Sequence, residues 1–112
     1  KAMEEGNQTT EPWPNATTIA AGLRVPSVFA DYIILRIIRE TGGTVLSVSD
    51  SDMIDAIKEI GSKEGIFTCP EGAATLVALK KLIKQGSLNG SETVVLMNTG
   101  SANKYLDVLT DI

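Results

Sequence analysis

Two places in the chain combine residue types suited to holding a small ligand: the turn Thr68-Cys69-Pro70-Glu71-Gly72 and the tripeptide Asn98-Thr99-Gly100. Thr99 and Gly100 follow Thr93–Asn98, a β-branched, apolar run with the composition of a buried strand. In open α/β sheets ligands sit outside the carboxyl ends of strands, so this small polar turn is a candidate ligand edge. Glu71 and Gly72 open a helix that is expected beside it. A residue before proline avoids the α region, which makes Cys69 the expected N-cap and Pro70 the first helical residue. That assignment leaves the Glu71 carboxylate available for other work. A capping box between Thr68 and Glu71 is the competing assignment. Gly72, Ala73 and Ala74 keep the first turn slim, so a neighbouring element or a ligand can approach closely.

Composition narrows the chemistry further. The 112 residues contain no histidine and a single cysteine, which excludes imidazole catalysis, imidazole metal sites and an internal disulfide. A lone Cys69 fits a reducing, cytoplasmic setting. The acidic cluster Asp50, Asp52 and Asp55 reads as helix-start chemistry rather than a metal site. A net charge of −4 argues against a nucleic-acid partner, since phosphate contacts require clustered Lys and Arg. Lys80, Lys81 and Lys84 recur at helical spacing and read as one solvated face. No apolar run approaches the ~20 residues that span a bilayer, so no membrane partner is expected. With 43% apolar but only 4% aromatic residues, the core must be aliphatic, which suits helices packed on a sheet.

The elements that would position these residues follow in order. Residues 1–25 read as a loop or connecting segment, polar up to Asn15, with Trp13 between two prolines as an odd residue to leave in solvent. Residues 26–112 read as the structured part. A helix is expected from about Ser27 to Thr41, its inner face formed by Phe29, Ile33 and Ile37 with Ile34 and Ile38, and stopped by Gly42-Gly43. Thr44–Ser49 has strand composition. A second helix opens at Ser49-Asp50-Ser51-Asp52, buries Met53, Ile54, Ile57 and Ile60, and runs to about Glu64 with Gly65 as its stop, Gly61 being an earlier alternative. The third helix begins at Pro70, carries Ala73, Leu76, Leu79 and Ile83 inward, and ends at Gly86. The expected class is α/β: a partial three-layer sheet with packed helices, its two strands joined by a right-handed crossover and completed by more protein.

The ordered motifs T-I-A-x-G-L-R-V-P, G-G-T-V-x-x-V-S-D, E-G-I-F-x-x-P-E-G-A-A and V-V-x-x-x-T-G resemble the threonine synthase family. More narrowly, they resemble its carboxy-terminal third, part of the large domain of a fold type II, tryptophan-synthase-β-like enzyme. The resemblance covers roughly Glu4 to Leu109. It implies pyridoxal phosphate as cofactor, O-phosphohomoserine and water as substrates, threonine and phosphate as products, and a homodimer when full length. It places Thr99 opposite the pyridine nitrogen of the cofactor, Gly100 in the turn beneath the ring, and Ala21 and Gly22 on a loop flanking ring or substrate. Glu71 matches a carboxylate that points toward the cofactor in relatives, although a plain helix-start carboxylate is an equal reading.

The resemblance also implies that the Schiff-base lysine and the phosphate-binding glycine loop lie upstream, in the missing amino-terminal part of the same enzyme. This segment then holds no catalytic residue and is expected to be inactive alone. After T-G, the family pattern continues with one residue and then Gly-Leu-Lys, where this chain reads Ser101-Ala102-Asn103-Lys104. Two alternatives stay open: a serine/threonine dehydratase or cysteate-synthase-like paralogue, and a non-catalytic α/β module that binds an effector or dimerises.

Overall fold

The computed structural model describes residues 1–110, which fall into two compact units, Lys1–Leu46 and the described residues from Ser47 onward. The first unit holds helix α1, Asp31–Glu40. It starts four residues later than the expected Ser27. Ala30 sits in the left-handed region at φ 58°, a backbone state that cannot belong to the helix, and no side chain caps it. Phe29 therefore falls outside the helical face and is 95% exposed, while Leu35 is the buried residue of the helix. The expected inner stripe of Phe29, Ile33 and Ile37 is thus corrected to one centred on Leu35, with Ile37 about half exposed.

The stop at Gly42-Gly43 is as expected. Gly42 takes a positive φ of 65°, its N–H donates to Arg39 O at 3.2 Å, and the Gly43 N–H donates to Ile38 O at 2.8 Å. These are the two bonds of a Schellman ending. The polar leader is tied to α1 by charged side chains. Asp31 accepts from the Thr10 N–H at 2.5 Å and the Thr10 hydroxyl at 2.9 Å, and Arg39 donates to Asn7 O at 2.6 Å. Trp13, against expectation, is 68% exposed.

The second unit is built on α2, Asp50–Glu64, packed against α3, Pro70–Lys84. Ser49 caps α2 by accepting from the Asp52 N–H at 3.1 Å, and Gly65 ends it at φ 67°. The α3 ending repeats the Schellman pattern, with Gly86 at φ 74° and bonds of 3.0 Å from Gly86 N to Ile83 O and from Ser87 N to Leu82 O. Buried residues are Met53, Ala56 and Ile57 on α2, and Pro70, Gly72, Ala73 and Val77 on α3. Burial of a side chain the size of Met53 or Ile57 stabilises by about 1.5–3 kcal/mol.

Glu59 adds a polar tie between the helices by bonding both Lys63 and Lys80. The hydrogen bond from Lys63, then that from Lys80, lowers its carboxyl to about 2. Lys81 donates to Ser47 O at 2.9 Å. Two of the three lysines of the expected solvated face also bind neighbours.

The expected partial sheet is not formed among the described residues. Neither Thr44–Ser49 nor Thr93–Asn98 pairs as a strand, and their side chains are open to solvent, with Val95 84% exposed. A strand composition makes a strand only where another strand supplies its hydrogen bonds. Among the described residues the β-pairing is a single antiparallel bridge, Thr68 to Ser101.

Candidate functional site

That bridge joins the two sequences singled out for their chemistry. The Cys69 N–H donates to Gly100 O at 3.1 Å and the Ala102 N–H to Phe67 O at 3.0 Å, so residues 67–69 and 100–102 are stitched together on either side of Thr68. At the head of α3, Cys69 takes an extended backbone and its Sγ accepts from the Gly72 N–H at 3.4 Å, as expected of the N-cap. Pro70 has no N–H to leave unsatisfied at the first helical position. The competing capping box does not form: the Thr68 hydroxyl, in a residue only 1% exposed, instead donates to Asn98 Oδ1 at 2.7 Å.

Of the two glycines beside this contact, only Gly72 is required by it. A Cβ on Gly72 would overlap Thr68 Oγ1 and come within 2.5 Å of Asn98 Oδ1. A Cβ on Gly100 would reach Cys69 Sγ at 3.4 Å, an ordinary contact. The slim first turn of α3 is therefore used to admit the Asn98 side chain.

The candidate residues sort as follows. Thr99 is exposed, carried between Asn98 and Gly100, whose contacts with Thr68 and Cys69 hold it in place. Gly100 is half-buried against Cys69. Glu71 is half-buried and accepts from the Tyr105 hydroxyl at 2.6 Å. Ala21 and Gly22 belong to the first unit, on an exposed turn closed by Leu23 N to Ala20 O at 2.9 Å and Arg24 N to Ala21 O at 3.3 Å. The structure thus brings Thr99, Gly100 and Glu71 into one bonded assembly within the second unit.

Three participants were not picked out in the sequence. Asn98 carried a signal, since it directly precedes the T-G pair. Thr68 was weighed only as a capping residue. Tyr105 carried no signal, because its contact with Glu71 spans 34 positions. Past Gly100, Ala102 is fully buried and residues Ala102–Lys104 form a single 3-10 turn capped by Ser101. On the other side of the assembly, Thr68, Gly72 and Asn98 line a cavity of about 430 Å³ together with Ile60, Leu76 and Leu96. Glu71, Thr99 and Gly100 do not line it.

The chain is similar in sequence to known proteins. A model of pyridoxal-phosphate dependent enzymes matches residues 1–100. The chain is 34% identical over 112 residues to a threonine synthase of Methanosarcina acetivorans, covering 100% of this chain and 28% of that protein. It is 33% identical over 96 residues to a threonine synthase of Methanocaldococcus jannaschii, 86% of this chain and 24% of that protein. For a threonine synthase of Mycobacterium tuberculosis the figures are 30% over 97 residues, 87% of this chain and 27% of the relative. The chain therefore spans about a quarter of the length of the curated relatives it matches.

Proposed function

Because the chain belongs to the family of pyridoxal-phosphate dependent enzymes, we propose that it forms part of a threonine synthase, an enzyme converting O-phosphohomoserine and water into threonine and phosphate. The observation that carries this reading is the stitching of residues 67–69 to 100–102, which joins the segment bearing Glu71 to the segment bearing Thr99 and Gly100. A relative bearing that name matches across both segments.

The residues present fit one side of the cofactor. Thr99 offers an exposed neutral hydroxyl beside a backbone pinned by the Cys69–Gly100 bond. Such a hydroxyl can hydrogen-bond the pyridine nitrogen without forcing its protonation, as a carboxylate would. Gly100 keeps the adjoining turn low enough for a flat ring to lie against it. Pyridoxal phosphate, when bound, supplies the electron sink for the reaction. This edge contains no lysine or arginine, so the lysine that links the cofactor and the groups that hold its phosphate come from elsewhere in the enzyme. The 112-residue chain alone is accordingly inactive.

The same reading accounts for the unpaired apolar segments. Thr44–Ser49 and Thr93–Asn98 become strands of the fold type II sheet when the remaining strands are supplied by the rest of the enzyme. The full-length enzyme is a cytoplasmic homodimer. Among the described residues no helix is long and apolar enough to cross a membrane.

The test is made on the full-length protein loaded with pyridoxal phosphate. Phosphate release from O-phosphohomoserine is expected, falling about tenfold or more in Thr99→Ala, the loss of one hydrogen bond to a charged or strongly polar group. If threonine is deaminated instead and O-phosphohomoserine releases no phosphate, a dehydratase-like paralogue replaces this reading.

A further inference from the structure

Glu71 is held more firmly than a helix-start carboxylate needs to be. A glutamate in the first turn of a helix gains from the positive helix end in whatever orientation its side chain takes. Here one oxygen accepts from the Tyr105 hydroxyl at 2.6 Å, a length typical of strong charge-assisted hydrogen bonds, and the other is shielded from water.

Tyr105 reaches this position from a run that is itself anchored. Ser101 pairs with Thr68, and the Ala102 N–H bonds Phe67 O. The Ser101 hydroxyl accepts from the Asn103 N–H at 3.2 Å, and the Tyr105 N–H donates to Ala102 O at 2.8 Å. Ala102 is fully buried and Leu109 is 6% exposed, so the run is seated by packing on both sides of the tyrosine. The phenol thus projects from a fixed backbone onto a carboxylate that would otherwise rotate about three side-chain bonds.

We propose that Tyr105 is a positioning residue: its hydroxyl fixes the orientation of the Glu71 carboxylate, so that the start of α3 and the Thr99-Gly100 turn face the cofactor as one rigid edge. The proposal rests on the reading of Glu71 as a carboxylate turned toward the cofactor. It adds a residue that lies beyond all four motifs of the family resemblance, directly after the stretch where the chain departs from the family pattern. The tail after Gly100 then does more than close the fold, because it sets the geometry of a group in the site.

The experiment compares Tyr105→Phe, Glu71→Gln, the double variant, Thr99→Ala and Leu109→Ala in the full-length protein loaded with pyridoxal phosphate. Three readouts are followed: the absorption and fluorescence of the bound cofactor, kcat and KM, and the melting temperature with and without cofactor. Tyr105→Phe and Glu71→Gln are expected to shift the cofactor spectrum in the same direction. Each should lower kcat about tenfold with little change in KM, and the double variant should lose no more than the worse single one, as residues acting through one bond do. Leu109→Ala loosens the same tail without touching the phenol, and is expected to lower the melting temperature while leaving the spectrum unchanged.

The proposal is overturned if Tyr105→Phe behaves like Leu109→Ala, moving only the melting temperature. It is also overturned if Glu71→Gln leaves the spectrum unmoved while Thr99→Ala shifts it, which would make Glu71 a helix-start carboxylate alone. Silence of both Glu71→Gln and Thr99→Ala would instead remove the proposed cofactor edge itself.

Discussion

The starts of α3 and α1 meet the same requirement, orphan N–H groups at a helix end, by opposite means. At α3 the residue before the helix is extended, its Cys69 sulfur takes the Gly72 N–H, and Pro70 removes one donor altogether. At α1 the preceding residue is Ala30 in the left-handed region, with no side-chain cap, and Asp31 takes the Tyr32 N–H through its own carboxylate at 2.7 Å. The first solution places no residue in a strained conformation. The second puts an alanine where its Cβ crowds the following carbonyl, at a cost of about 1–2 kcal/mol. The better-built start is also the one that carries the candidate site, which needs its side chains fixed.

The largest effect is expected from filling the space that the α3 start leaves open. Gly72→Ala gains about 1 kcal/mol of helix propensity. Its methyl, however, must displace Asn98 or the buried Thr68 hydroxyl. Overpacking of this kind costs about 1–3 kcal/mol, and a buried hydroxyl left without its partner costs a similar amount. Net destabilisation of about 2 kcal/mol is expected from denaturant titration, together with loss of Thr99 order in the site. A variant as stable as the parent would show that Asn98 has another place to go, and that the α3 start tolerates more than its packing suggests.

The contrast between the two starts also explains what could be read from sequence. Cys69 before Pro70, Ser49 before three acidic or serine positions, and the glycines at 42, 65 and 86 are local signals, because each acts on backbone groups within a few residues. All of these were legible, and with them the extents of α2 and α3. Ala30 gives no such signal, since nothing in an alanine announces a positive φ, and the α1 start was therefore placed too early. The inner face of α1 failed for the same reason, because it was counted from Phe29. The two apolar segments were read correctly as to composition, but pairing is a property of neighbours, and none of the described residues pairs with them. Within the site, the meeting of the T-C-P-E-G and N-T-G segments was anticipated. The Thr68–Asn98 and Glu71–Tyr105 bonds were not, because they join residues 30 and 34 positions apart.

A pair of substitutions with opposite signs would sharpen the comparison. Cys69→Ala removes the acceptor for the Gly72 N–H and is expected to destabilise by about 1 kcal/mol, the usual cost of a lost N-cap. Ala30→Gly relieves the left-handed alanine and is expected to stabilise by up to about 1 kcal/mol, the gain in the folded state being partly offset by the greater freedom of glycine in the unfolded chain. Both are read as shifts of the denaturation midpoint at unchanged slope. Equal effects of the same sign would mean that the two starts do not differ in strain after all.

The smallest effect is a pH dependence read at the α1 start. The hydrogen bond from the Thr10 N–H, then that from its hydroxyl, holds the Asp31 carboxyl below its ordinary value of 3.8. A carboxyl lowered by folding stabilises the folded state above its unfolded pKa, and that contribution is lost as pH falls through the lowered value. Acidification below about 3.8 should therefore release Thr10 and Tyr32 from Asp31. Protection of the Thr10 amide against hydrogen exchange is expected to fall in this range in the parent protein. In Asp31→Asn it should be lower throughout and independent of pH. The Gly72 amide is bound to the Cys69 sulfur and not to Asp31, so its protection should follow the same course in both proteins. An acid-dependent Thr10 amide in Asp31→Asn would assign the effect to another group and leave the α1 start held by its backbone bonds from Ile33 and Ile34 to Ala30 O.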